Sequence, residues 1–163
     1  MKDSFLQIRI SSAEKEKIKS LARLDNCDIS EWILKQLEPK QSILKLQQLY
    51  SDLEDVKDLS YKLAEISDFF YDAPTQLWSD IVNVSPSSQL SHDVLAYVAS
   101  MIEYISDYRK LPLPTWTKDV TALDTPYFYD AKSAELKMFL CLNSPIQFKR
   151  RNIFVSFDGR GRV

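Results

Sequence analysis

Residues 4–37 read Ser-Phe-Leu-Gln-Ile-Arg-Ile-Ser-Ser-Ala-Glu-Lys-Glu-Lys-Ile-Lys-Ser-Leu-Ala-Arg-Leu-Asp-Asn-Cys-Asp-Ile-Ser-Glu-Trp-Ile-Leu-Lys-Gln-Leu. Leu6, Ile8 and Ile10 alternate with Phe5, Gln7 and Arg9, the period of a half-buried strand. Ser11 followed by Glu14 is a capping box, and Ile18, Leu21 and Ala22 keep helical spacing after it. Asn26 tolerates positive φ and suits a helix stop. Asp28 with Glu31 repeats the capping signal ahead of a second helix carrying Ile29, Ile33 and Leu37. The expected order is therefore strand, helix, tight turn, helix. A lone strand leaves its edge donors and acceptors open, and about 35 residues are too few to bury a core. The unit asks for a partner: two copies can pair their strands antiparallel and pack four helices behind them.

The run Gln7-Ile8-Arg9-Ile10, followed by Ser11-x-x-Glu14 and by Asp28-Ile29-Ser30-Glu31, resembles the ribbon-helix-helix family of bacterial and phage repressors, to which many antitoxins belong. The resemblance covers residues 4–38. It implies an intertwined homodimer whose two-stranded ribbon enters the major groove of double-stranded DNA. By position, Phe5, Gln7 and Arg9 would then read base edges. Arg matches guanine and Gln matches adenine through paired hydrogen bonds, while Phe5, where the family more often has a polar residue, either packs on a thymine methyl or marks a position that reads nothing. The start of the second helix, at Ile29 and Ser30, would hold a phosphate on free backbone N–H groups, with Lys19 as a further phosphate contact. Asp28 places a carboxylate beside that phosphate position.

Composition narrows the class. A chain of 163 residues holds one medium domain or two small ones. Its 2 glycines both fall in the last five residues, and sheet-rich folds need glycine for turns and bulges, so a mainly α protein is expected. No apolar run is long enough to span a membrane, and the first residues contain no apolar signal core, so a cytoplasmic protein is expected. Cys27 and Cys141 lie far apart without metal-ligand spacing and read as reduced thiols. Charge is uneven. Residues 1–40 carry 8 basic and 7 acidic side chains, residues 41–110 carry 5 and 11, and residues 111–163 carry 8 and 5. The N-terminal unit is thus only weakly basic, which argues against tight nonspecific DNA binding, because phosphate neutralisation drives that term.

Pro39 is expected to end the second helix, with a hinge over residues 40–42. Ile43, Leu46, Leu49, Leu53, Val56, Leu63, Ile66 and Phe70 then mark one long amphipathic helix over 43–70, and Asp52, Glu54, Asp55, Asp58, Glu65 and Asp68 form its acidic side. Asp72-Ala-Pro74 breaks it. A short helix over 75–82 carries Trp78 as a core anchor, and a strong helix follows over 89–110 with Leu95, Val98, Ile102 and Ile105 as its stripe. His92, the chain's 1 histidine, falls in the first turn of that helix. With no second histidine, neighbouring cysteine or paired nucleophile it reads as a surface residue and not as a metal ligand or catalyst. Residues 115–129 read as an irregular, aromatic-rich segment wrapped over a core, and 131–143 as a helix with Leu136, Phe139, Leu140 and Leu142 apolar. Asn152–Phe157 reads as a strand or an extended tail. Lys149, Arg150 and Arg151, with Arg160 and Arg162, form a basic cluster suited to phosphates or to an acidic protein surface.

The C-terminal half also resembles an uncharacterised bacterial domain, through Pro-x-Trp at 114–116, Leu-Asp-x-Pro-Tyr-Phe at 123–128 and Ser-Pro-x-x-Phe-Lys-Arg-Arg-Asn-Ile-Phe-Val-Ser at 144–156. That resemblance is associated with toxin–antitoxin-like loci and names no chemistry. The expectation is then a dimerising DNA-binding unit over 1–40 and a helical partner-binding domain over 41–163. Together they suggest an antitoxin-type transcriptional regulator that binds operator DNA and a toxin. The alternative is a dimeric interaction module without a DNA role. No Gly-rich phosphate loop, ligand cluster or nucleophile constellation points to an enzyme or to a cofactor.

Overall fold

The computed structural model describes residues 7–55, 57–87, 89–129 and 131–156. The protein is mainly helical, and it divides into two compact units, Met1–Gln41 and Ser42–Val163. Among the described residues no helix is long and apolar enough to cross a membrane.

In the first unit, helix α1 (Ser12–Leu24) starts where the capping box predicts. Ser11 Oγ accepts from Glu14 N at 3.3 Å, and Glu14 Oε2 accepts the Ser11 backbone N–H at 2.8 Å. The helix ends in a Schellman motif around Asn26 at φ 52°: Cys27 N donates to Ala22 O and Asn26 N to Arg23 O. Asp28 then caps the next helix, its Oδ1 accepting from Glu31 N at 2.8 Å. The Glu31 carboxylate pairs with Lys35 at 3.2 Å. Of the strand expected over residues 4–10, only residues 7–10 are described. Gln7–Ile10 are neither helix nor strand, and Phe5 and Leu6 lie outside the described residues. A strand exists only through its ladder, and Gln7–Ile10 have no ladder partner among the described residues.

Helix α2 (Ile29–Asp52) overturns the expected stop at Pro39, which sits inside it. Proline forfeits one backbone hydrogen bond and crowds the preceding turn. The helix continues because good helix formers flank the proline on both sides and because Leu46 and Tyr50 are held in the core of the second unit. The hinge expected over 40–42 is accordingly helical. The single helix expected over 43–70 is instead two. Helix α2 ends at Asp52, and α3 (Leu59–Asp72) follows a turn that contains Asp58 at φ 57°. Asp52, Glu54 and Asp55 crowd the carbonyl end of α2, where the helix dipole disfavours carboxylates. Lys62 closes the turn by donating to Asp55 O at 2.8 Å.

The second unit is built around helix α5 (His92–Arg109). Residues 96–103 are all buried, more than two full turns, so this helix is covered around its circumference. Leu63, Ile66 and Phe70 of α3, Trp78, Ile81 and Val82 of the short helix α4 (Trp78–Val82), and Phe148 of α7 (Ile146–Lys149) share its core. Two indoles latch loops onto it: Trp78 Nε1 donates to Pro112 O at 3.0 Å and Trp116 Nε1 to Val82 O at 2.8 Å. Both tryptophans satisfy their polar atom on backbone, with the Trp78 ring buried and the Trp116 ring half-buried against the core, as packing anchors do. Arg109 stacks on the Trp78 ring and donates to Phe70 O and Ala73 O, neutralising the carbonyl end of α3.

The aromatic segment 115–129 is less irregular than its sequence suggests. It contains a 3₁₀ turn (Trp116–Asp119) and ends in strand β1 (Tyr127–Phe128), which pairs in parallel with β2 (Ile153–Phe154) in the register Tyr127↔Ile153. Phe128 stacks on Phe154 across the pair at 4.8 Å. Helix α6 (Ala134–Asn143) is capped by Ser133 and ends at Ser144, whose buried hydroxyl joins Leu140 O to the backbone of Val155.

Candidate nucleic-acid interface

The first unit places Gln7 and Arg9 just ahead of α1, exposed and without a side-chain hydrogen bond among the described residues. Both heads are therefore available to an external partner. Phe5 lies outside the described residues. At the start of α2, Ser30 is exposed and Ile29 half-buried, and Asp28 takes up the Glu31 N–H. The Asp28 carboxylate stands at the same helix end, where it competes with any incoming phosphate.

Lys19 is less free than its sequence position suggests. Its ammonium pairs with Glu16 at 2.9 Å, and Lys35 is likewise paired with Glu31. The Lys19 hydrogen bond, with its charge, holds the Glu16 carboxyl below the usual carboxylate range. The Ser11 backbone N–H does the same for Glu14. These local pairings cancel part of the positive charge that a DNA surface would use.

Ala22 is the first unit's one buried side chain among the described residues, while Ile8 and Ile10 are 54% and 44% exposed and Leu24, Leu34 and Leu37 are exposed with them. Apolar side chains at strand and helix spacing, left open to water, mark a surface built to be covered.

The basic cluster at 149–151 does not form one surface site. Arg151 is buried. Its Nη2 donates to Glu103 Oε1 at 2.9 Å and its Nη1 to Glu103 Oε2 at 2.5 Å, and it also reaches Thr117 O. Its guanidinium is therefore engaged inside the protein and not presented at the surface. A bidentate pair with Glu103 in the wall of the core consumes it. Arg150 joins the same carboxylate from the surface, where its side chain is 51% exposed. Lys149 folds back to donate to Leu142 O at 2.8 Å. Burial pushes both guanidinium pKa values down, yet arginine stays charged. His92 is exposed, with Nε2 3.2 Å from Thr121 O, and it tethers the 115–126 segment. No group of three or more potential metal ligands forms among the described residues.

One surface escapes a reading of residues as core formers. Of the apolar positions on α6, only Leu140 is buried. Leu136, Phe139 and Leu142, together with Met138, face water. Helical spacing alone reports that a stripe exists, not whether the chain covers it.

No protein-family model, curated protein or solved structure matches this chain.

Proposed function

We propose that the protein is a dimeric, ribbon-helix-helix-type DNA-binding transcriptional regulator of the antitoxin kind. Two copies of the first unit pair to read an operator, and the second unit binds a protein partner such as a toxin. The observation that carries this reading is the open face of the first unit: two well-capped helices with Ile8, Ile10, Leu34 and Leu37 left exposed. A second copy laid against that face pairs the segment Gln7–Ile10 with its twin and buries those side chains. Gln7 and Arg9 are then left on the outer side, at positions suited to base edges.

The test is selection of bound fragments from upstream genomic DNA, with the mass measured in the same buffer. A dimer that protects a short repeated site is the expected result. Arg9→Ala should then weaken operator binding by about 1–3 kcal/mol, the worth of a good base contact. Unchanged affinity would remove the ribbon from the interface. A second reading, a dimeric interaction module without DNA binding, is favoured by the neutralisation of Lys19 by Glu16 and of Lys35 by Glu31. A dimer that ignores all DNA at low salt would establish it.

A further inference from the structure

We propose that the exposed face of α6 and α7 is the partner-docking surface of the second unit, and that its occupant is an acidic amphipathic helix of another protein. The inference rests on the reading of the second unit as a partner-binding domain, and it names the place and the chemistry of the contact.

Helix α6 buries Leu140 and presents Leu136, Met138, Phe139 and Leu142, the last two being 50% and 74% exposed. Ile146, at the start of α7, continues the strip and is also exposed. A helix that leaves this much apolar surface in water marks an interaction site. The strip is rimmed mostly by positive charge. Lys149 is held at the carbonyl end of α6 through Leu142 O, and Lys137 lies over the Phe128 ring at 5.5 Å. Arg150 and Arg151 share the single carboxylate of Glu103, so this trio keeps one net positive charge, carried outward on the exposed Arg150. Exposed Lys132 adds another, and against these stand Glu135 on α6 and Asp107 of α5, whose Oδ2 accepts from Gln147 of α7 at 3.2 Å.

This charge selects the occupant. A second copy of the same face would set like charge on like charge, which is destabilising. The cations are also pinned close to the strip by Leu142 O, Phe128 and Glu103. Fixed positions suit carboxylates flanking an apolar helix stripe better than the long, freely reaching lysines that follow a lipid surface. An amphipathic helix with apolar anchors at i, i+3, i+4 and i+7 and glutamates beside them complements both features.

The test uses the full chain and a fluorescein-labelled synthetic helix of roughly 20 residues with leucines at those anchor positions and glutamates elsewhere, beside a counterpart with lysines in place of the glutamates. Fluorescence anisotropy is expected to show binding of the acidic peptide and at least about tenfold weaker binding of the basic one. Leu142→Glu and Met138→Glu, both at exposed positions, should each lower affinity by about tenfold or more with the circular dichroism spectrum unchanged. No binding of the acidic peptide, equal binding of both peptides, or full binding by the two variants overturns the proposal. So does binding of the wild type, and not of Leu142→Glu, to anionic phospholipid vesicles in place of the peptide, or a fall in sedimentation mass on Leu142→Glu, which would assign the face to a second copy. Operator binding is measured on the same variants. Its loss in the wild type strikes the regulator reading, whereas peptide failure with DNA binding intact strikes only this one.

Discussion

Glu103 sits on the helix that the second unit covers most completely, and a lone carboxylate there would carry a large desolvation cost. Arg151 meets it with two guanidinium nitrogens, and Arg150 adds a third contact from the surface. Arg151→Met leaves a buried, unpaired charge and is expected to destabilise the protein by about 3–5 kcal/mol in urea unfolding. The double change Glu103→Leu with Arg151→Met should recover most of that loss, because well-packed apolar groups replace buried ion pairs at little cost. Arg150→Ala should cost about 1 kcal/mol or less, since its side chain is half in water. Glu14 supplies a pH dependence. Its folded pKa is depressed by the Ser11 N–H, so its contribution is present above the ordinary value of 4.5 and is lost as pH falls through the lower folded value. Helicity of α1 followed by circular dichroism should therefore drop on acidification below that point in the wild type, and less in Ser11→Ala.

At the scale of elements, local rules locate starts better than ends. Ser11, Asp28 and Ser133 each cap a helix by accepting a nearby backbone N–H, a geometry contained within four residues. Pro39 is a local stop signal that long-range packing overrides, since Leu46 and Tyr50 fix the far end of α2 in a core assembled from distant segments. Relieving it tests this account. Pro39→Ala restores a backbone hydrogen bond and should raise stability by up to about 3 kcal/mol in chemical denaturation. A lowered midpoint would mean that the bend itself is required. Strand β2 falls inside the 152–157 stretch that reads as a strand or an extended tail, but β1 was beyond local reading for another reason: two residues are too few to show alternation, and the pairing joins segments far apart in sequence.

At the scale of the whole molecule, the first unit's capped helices expose the residues that should hold them together, and a second copy is the proposed remedy. Ile8→Glu places a charge in that junction. Sedimentation at micromolar concentration should then give a monomer where the wild type gives a dimer, and operator binding should fall with it. A dimer that survives Ile8→Glu would move the junction elsewhere. The sequence by itself determined the helical class, the two capped helices near the N-terminus, the Asn26 turn and the anchoring tryptophans, because each depends on neighbours a few residues apart or on the chemistry of one side chain. Only the tertiary structure decided that Arg151 is buried on Glu103, 48 residues away, that α2 runs through Pro39, and that the apolar side of α6 stays in water. Those outcomes depend on which distant surfaces meet, and neither charge nor periodicity along the chain records that.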